Sequence, residues 1–164
     1  MVSGTVFIMR YYINIGTNLG DREANIEAAL AALRHSDGCC VAEVSHAVAS
    51  AAWGYESSND FLNVAVAVDS AVEPKQMLER LKGIEDEVGS RVHRDSAGCY
   101  CDRIIDLDIM AIDEQVIDMP ELHVPHCHLA ERTFFVEPFL EIAPSWHHPQ
   151  TGASLADMLC CLRR

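Results

Sequence analysis

The apolar positions of this chain repeat at two spacings, and the spacing changes along its length. Residues 5–16, "TVFIMRYYINIG", are rich in β-branched and aromatic side chains and stop at a glycine, which predicts a first strand. "TNLGD" reads as a turn. From Asp21 to Leu33 the residues Ile26, Leu30 and Leu33 recur on one helical stripe, which "SDG" closes. A weaker strand is expected through "CVAEVSHAV", followed by a loop, "AAWGYESSND". "FLNVAVAVDS" alternates cleanly, with Leu62, Val64, Val66 and Val68 facing one way and Phe61, Asn63, Ala65 and Ala67 the other. Glu73-Pro74 opens a second helix whose stripe is Met77, Leu81, Ile84 and Val88, with Gly89 as its C-cap. Residues 90–103, "SRVHRDSAGCYCDR", predict a long polar loop, and "DRIIDLDIM" (102–110) predicts a strand with acids in it. "QVIDMPELHVPH" predicts a short strand and a proline-bounded loop. "LAERTFFVEPFLEIAP" is expected to be partly helical, and "SLADMLCCLRR" to close the chain as a helix with Ser154 as its N-cap.

The order strand, helix, strand, strand, helix, strand, with helical additions, predicts an α+β sandwich on a largely antiparallel sheet. The 164 residues are expected to form a single domain spanning 1–164, long enough to bury a real core. No apolar run approaches the roughly 18 residues that span a membrane. The start, "MVSGTVFIMRYY", lacks a basic n-region and reads as a strand.

Charge narrows the choice of partners. The formal net charge is −13, which should repel nucleic acid and anionic membrane over most of the surface. An anionic substrate would therefore need a local cationic cluster or bound metal cations. Three of the twelve Lys and Arg residues, Arg91, Arg94 and Arg103, fall just before the acidic strand, and Arg132 follows later. The seven cysteines include the adjacent pairs Cys39-Cys40 and Cys160-Cys161. Adjacent cysteines pair poorly and the count is odd, so a reducing cytoplasm is expected.

The acidic strand carries the main chemical signal. In a strand, positions i and i+2 share a face about 6 to 7 Å apart, so Asp106 and Asp108 would repel unless something positive sits between them. A hard divalent cation fits, because Mg²⁺ is held by one or two carboxylates together with substrate phosphates. Taken alone, Asp-x-Asp is more often the pattern of a solvated strand face. The arginines upstream favour a metal–nucleotide site, since guanidinium groups clamp phosphate oxygens. His126 and Arg132 could add phosphate contacts. Phe61 and Phe134 could flank a flat ring that Asn63 hydrogen-bonds, although aromatics on a strand are more often plain core. Cys99, Cys101, Cys127, His126 and His128 include zinc-ligand types, but without a second paired-cysteine motif.

Four segments, "IGTNLGDREANI", "WGYESSNDFLNVAVAVDS", "CDRIIDLDIM" and "VPHCHLAERTFFVEPFLEIAP", together resemble the 6-hydroxymethyl-7,8-dihydropterin pyrophosphokinase family in order and spacing. The resemblance implies a ferredoxin-like α/β sandwich and transfer of pyrophosphate from ATP to the pterin hydroxymethyl group, releasing AMP, in folate biosynthesis. It implies two Mg²⁺ ions on Asp106 and Asp108, and catalytic roles for Arg103 and Arg91. Trp53, Gly54, Phe61, Asn63 and Phe134 match pterin-side positions. Glu85, Arg94, His126 and Arg132 match ATP-side positions. It further suggests a lone catalytic domain acting as a monomer. The chain departs from the family pattern in three places: "GSRVHR" after the second helix, Cys127 after the "PH" histidine, and "DR" (Asp102-Arg103) where "PR" is usual. Two other readings stay open, a catalytically weakened ATP- and pterin-binding domain and a zinc-stabilised interaction module.

Overall fold

The computed structural model describes residues 6–89, 97 and 101–164. The first strand, β1 (Met9–Thr17), begins later than its apolar run because Val6, Phe7 and Ile8 stand exposed ahead of the sheet. Helix α1 (Arg22–His35) starts where the Asp21 carboxylate accepts the Ala24 N–H at 3.0 Å, which satisfies one of the free donors of the first turn. The weak second strand divides into β2 (Cys39–Val44) and β3 (Val48–Ser50), which pair with successive parts of β4 (Phe61–Ser70). Helix α2 (Pro74–Val88) opens on its proline and ends at Gly89, whose φ of +120° suits a residue without a Cβ. The acidic strand β5 is shorter than expected, Asp106–Ile112. A hairpin of β6 (Ile117–Met119) and β7 (Leu122–Val124) stands where a strand and a loop were expected. The chain finishes with α3 (Thr133–Ile142) and α4 (Leu155–Leu162), the latter capped by Ser154.

The main sheet runs β2-β4-β1-β5, with β3 also on β4, and every registered pair is antiparallel. Strand–helix–strand–strand–helix–strand on such a sheet is the expected α+β sandwich, and its ferredoxin-like order follows from β1 lying between β4 and β5.

Strand parity divides the sheet into two unlike faces. Tyr11, Ile13 and Ile15 of β1, Val64, Val66 and Val68 of β4, and Leu107 and Ile109 of β5 form one core with Ile26, Leu30 and Leu33 of α1 and Met77, Leu81 and Ile84 of α2. The opposite face carries Ala65, Ala67 and Met110, and it packs on Phe135, Val136 and Phe139 of α3 and Leu155, Met158 and Leu159 of α4. Alanines there let α3 lie close to the strands. Beyond the alanines the same face changes character. Gly16 of β1 lies opposite Asn63 and Asp106, and Asn14 lies opposite Asp108. Polar residues thus follow the alanines on one face, toward the end of β1 and the starts of β4 and β5.

Phe139 holds the covered part of that face. It is fully buried, with its ring 4.6 Å from Tyr12 and 5.0 Å from Trp146. Replacing Phe139 with Ala should cost about 3–5 kcal/mol, as truncated buried aromatics do. Urea unfolding would register this as a lower midpoint with an unchanged slope.

Candidate active site

The open end of the polar face forms the floor of a hollow of about 620 Å³, its open mouth included. Asn14 and Gly16 come from β1, Phe61 and Asn63 from β4, and Asp106 and Asp108 from β5. Ser50, Ala51, Trp53 and Tyr55 form one wall, and His126, Arg132, Phe134 and Phe135 the other. Gly16 keeps the floor clear, because a Cβ there would sit 3.0 Å from Asn63 Oδ1. Arg103 enters from the segment before β5. That segment is tied to the end of β1: the Arg103 N–H donates to Asn18 Oδ1 at 2.9 Å, and Thr17 Oγ1 donates to the Ile104 carbonyl.

One end of the hollow is electrostatic. Arg103 Nη1 lies 3.2 Å from Asp106 Oδ2. Burial pushes the Asp108 carboxyl above its usual range, and the nearby Arg132 and Arg103 guanidinium groups only partly oppose this. Behind β5, Glu85 accepts the Leu107 N–H at 2.7 Å, and burial first, then Asp106, raises its carboxyl to about 8. Added positive charge would relieve this crowding of acids. Asp106 and Asp108 present oxygen donors on one strand face, and among the described residues no third His, Cys, Asp or Glu joins them as a closed metal cage. Such a donor set fits Mg²⁺ shared with phosphate oxygens.

The other end is built for a flat polar ring. The Asn63 amide is oriented by its neighbours: its Nδ2 donates to Ser50 Oγ at 3.0 Å, and its Oδ1 accepts from Asn14 Nδ2 at 3.4 Å. This leaves the Asn14 Oδ1, on a residue only 3% exposed, without a partner. Phe61 and Phe134 both border the space, with the Arg103 guanidinium 5.9 Å from the Phe61 centroid. The Arg132 guanidinium lies 4.3 Å from the Trp53 centroid and 4.8 Å from that of Phe135. Arg132 is thus a buried cation held by aromatic faces. Burial also lowers His126, to about 4, so the ring is neutral at ordinary pH. Its Nδ1 accepts the His128 N–H at 3.1 Å, which leaves the proton on Nε2 as a donor.

Nine residues singled out from the sequence therefore border one space: Trp53, Phe61, Asn63, Arg103, Asp106, Asp108, His126, Arg132 and Phe134. Gly54 sits between two wall residues at a φ of +81°, a conformation that suits glycine. Glu85 is not in the hollow. It lies with Lys82 in a shallow groove on the outer side of β5, which Asp106 and Asp108 also border. Arg91 and Arg94 lie outside the described residues, as do Cys99 and most of the "GSRVHR" departure. Sequence reasoning missed Asn14, Ser50, Tyr55 and Asp102. Asn14 had a signal, being the one amide side chain amid "YYINIG"; Ser50 depends on how β3 pairs with β4, and Tyr55 and Asp102 on how loops fold back, which periodicity does not encode.

Similarity to known proteins points the same way. The profile of the family described as 7,8-dihydro-6-hydroxymethylpterin-pyrophosphokinase matches residues 12–144. A 2-amino-4-hydroxy-6-hydroxymethyldihydropteridine pyrophosphokinase of Porphyromonas gingivalis is 36% identical over 140 residues, covering 85% of this chain and 93% of that protein. The Aquifex aeolicus protein of the same name is 37% identical over 138 residues, covering 84% of this chain and 82% of its own length. Among solved structures, Plasmodium falciparum HPPK-DHPS with pteroate superposes with a TM-score of 0.75 at 12% identity, a likeness of fold. That match covers 94% of this chain, and this chain spans 44% of that one.

Glu85 also has a structural duty that can be separated from chemistry. Glu85→Ala leaves the buried Leu107 N–H without an acceptor and should cost about 1–3 kcal/mol. Glu85→Gln keeps an acceptor oxygen and should cost less than Glu85→Ala; comparing the two unfolding curves checks the difference.

Proposed function

The chain belongs to the 7,8-dihydro-6-hydroxymethylpterin-pyrophosphokinase family, and from that premise we propose that it transfers pyrophosphate from ATP to 6-hydroxymethyl-7,8-dihydropterin, releasing AMP, in tetrahydrofolate biosynthesis. One observation carries the reading: Asp106 and Asp108 share a strand face with Asn63 and Phe61 in a single hollow, so a metal-binding edge adjoins a slot for a heterocycle.

The two aspartates would hold the Mg²⁺ that accompanies the triphosphate, and the ion, when bound, neutralises phosphate charge and polarises the phosphorus under attack. The remaining work falls to side chains. Phe61 and Phe134 flank the pterin, and Asn63, held by Ser50 and Asn14, reads its polar edge. That orientation brings the hydroxymethyl oxygen toward the acids, where it attacks the β-phosphorus. The bond from that phosphorus to the α–β bridging oxygen breaks, AMP leaves with that oxygen, and the hydroxyl proton is lost to solvent. Arg103, between Asp106 and the Phe61 ring, and the buried Arg132 stabilise charge on the phosphoryl oxygens as it develops. The neutral His126 can offer its Nε2–H to a phosphate oxygen without adding charge. Trp53 and Tyr55 form a wall that limits access of water and so favours transfer over hydrolysis. Glu85 and Lys82, in the groove across β5, would meet the nucleotide side. The reading takes residues 1–164 as one catalytic domain acting as a monomer in a reducing cytoplasm.

The zinc module has no support among the described residues, where no three metal-ligand side chains converge. Nor do the comparisons favour a domain that has lost turnover.

The direct test is a coupled assay for AMP. Purified protein with ATP, Mg²⁺ and the pterin should release AMP only when the pterin is present. Excess EDTA should stop the reaction and added Mg²⁺ should restore it; pterin-independent or absent AMP formation from folded protein rejects the reading. Asp108→Ala should lower turnover by at least about 100-fold. Its thermal midpoint should not fall without metal, because one of two facing carboxylates is gone. Arg103→Ala should behave differently, losing about 100-fold in turnover with only a small change in affinity for a non-hydrolysable ATP analogue. Equal losses in both measurements would place Arg103 in ground-state binding instead.

A further inference from the structure

Asp102 has no part in the chemistry above, yet it is one of the most heavily hydrogen-bonded side chains near the hollow. Its Oδ1 accepts from Asn18 Nδ2 at 2.8 Å and from the Tyr55 hydroxyl at 3.0 Å, and its Oδ2 accepts from Asn59 Nδ2 at 2.7 Å. These donors come from two separate parts of the chain. Asn18 follows β1, whereas Tyr55 and Asn59 belong to the 51–60 segment that includes the Trp53 and Tyr55 wall.

Asn18 extends the cluster to the catalytic side. Its Oδ1 accepts the Arg103 N–H at 2.9 Å, its own N–H donates to the Arg103 carbonyl at 3.3 Å, and its Nδ2 lies 3.2 Å from both the Tyr55 hydroxyl and the Asn59 carbonyl. The 51–60 segment has no helix or strand of its own, since β3 ends at Ser50 and β4 begins at Phe61. Its position therefore rests on side-chain contacts, with Trp53 packed on Arg132 and His128 and polar side chains bonded to Asp102, and hydrogen bonds to a carboxylate are the stronger kind. Ionisation does not disturb the cluster near neutral pH. Burial alone would raise Asp102, but the polar side chains around it hold it below the usual carboxylate range, and burial together with Asp102 pushes the Tyr55 hydroxyl up to about 12.

We propose that Asp102 is a positioning residue that latches the 51–60 wall to the segment carrying Arg103, so that the ring slot and the cationic end of the site are assembled as one unit. The role in ring binding rests on the pterin reading above; the latch itself does not. Without the carboxylate, the wall occupies the closed position in only a fraction of molecules, and apparent affinity for the ring falls by that fraction. The Arg103 segment stays tied to the end of β1 by Asn18 and Thr17, and Asp106 and Asp108 stay on β5, so the nucleotide side keeps its geometry.

Three variants test this: Asp102→Ala, Asp102→Asn and Tyr55→Phe. Hydrogen exchange of the 53–60 amides is followed in ligand-free protein. Pterin affinity is measured by calorimetry with Mg²⁺ and a non-hydrolysable ATP analogue present, and the analogue is also titrated alone. In Asp102→Ala, 53–60 should lose protection and pterin affinity should fall about tenfold, a competent fraction near one-tenth, while analogue affinity moves less than about twofold. Asp102→Asn should lose about threefold, because its remaining oxygen still serves Asn18 and Tyr55 while its amide faces that of Asn59. Adding Tyr55→Phe to Asp102→Ala should change little further, since the two share one interaction. Equal weakening of pterin and analogue, or unchanged pterin affinity, overturns the proposal. Should Asp102→Ala not fold, Asp102→Asn and Tyr55→Phe carry the same comparison. If the wild-type protein binds no pterin, the functional reading fails, and unchanged exchange in these variants still rejects the latch.

Discussion

Two carboxylates two residues apart on a strand cannot both be dry, charged and alone, and the polar end of this sheet is organised around that constraint. Asp106 and Asp108 face the same way because β5 is a regular strand, paired with β1 so that they lie opposite Gly16 and Asn14. Desolvation disfavours the charge on Asp108. The surroundings answer with cations at short range, Arg103 against Asp106 and Arg132 held among aromatic rings. A chain with a net charge of −13 therefore keeps a local cationic setting where an anionic ligand would enter.

The same strand parity explains why the site lies where it does. One face of the sheet is apolar along its length and is covered by α1 and α2. The other is covered by α3 and α4 over its alanines, then turns polar. Core and site are consecutive parts of one surface, so the packing that buries Phe135 also sets the rim of the hollow, to which Phe135 and its neighbour Phe134 both belong. Stability and function meet in Glu85 too, whose carboxyl oxygen satisfies a buried backbone donor of β5 directly behind the acidic pair.

The walls obey a different logic. The 51–60 segment and the segment before β5 have no ladder of backbone bonds to hold them, and short polar side chains do that work. Asn18, Asn25 and Thr17 join the Ile104 and Arg103 backbone to the end of β1, and Asp102 adds the ring-side wall to the same cluster. Precise placement of Arg103 thus depends on amides and hydroxyls that have no chemistry of their own.

Local periodicity determined a good deal of this protein. The alternation in "FLNVAVAVDS" and "DLDIM" assigned Phe61 and Asn63 to one face of their strand and Asp106 and Asp108 to one face of theirs. The stripes of α1 and α2 picked out Ile26, Leu30, Leu33, Met77, Leu81 and Ile84 as buried, because side-chain direction repeats with the backbone and needs no distant information. Tertiary structure alone decided how those faces align, through the register of β1 against both β4 and β5. It decided that Glu85 lies behind β5 and not in the hollow, that burial leaves His126 neutral, that "CVAEVSHAV" breaks into two strands, and that Tyr55 and Asn59 meet Asp102 across more than 40 residues of sequence. Those facts come from closing loops between distant segments and from how deeply each group is then removed from water, and neither quantity is written in the spacing of apolar residues along a chain.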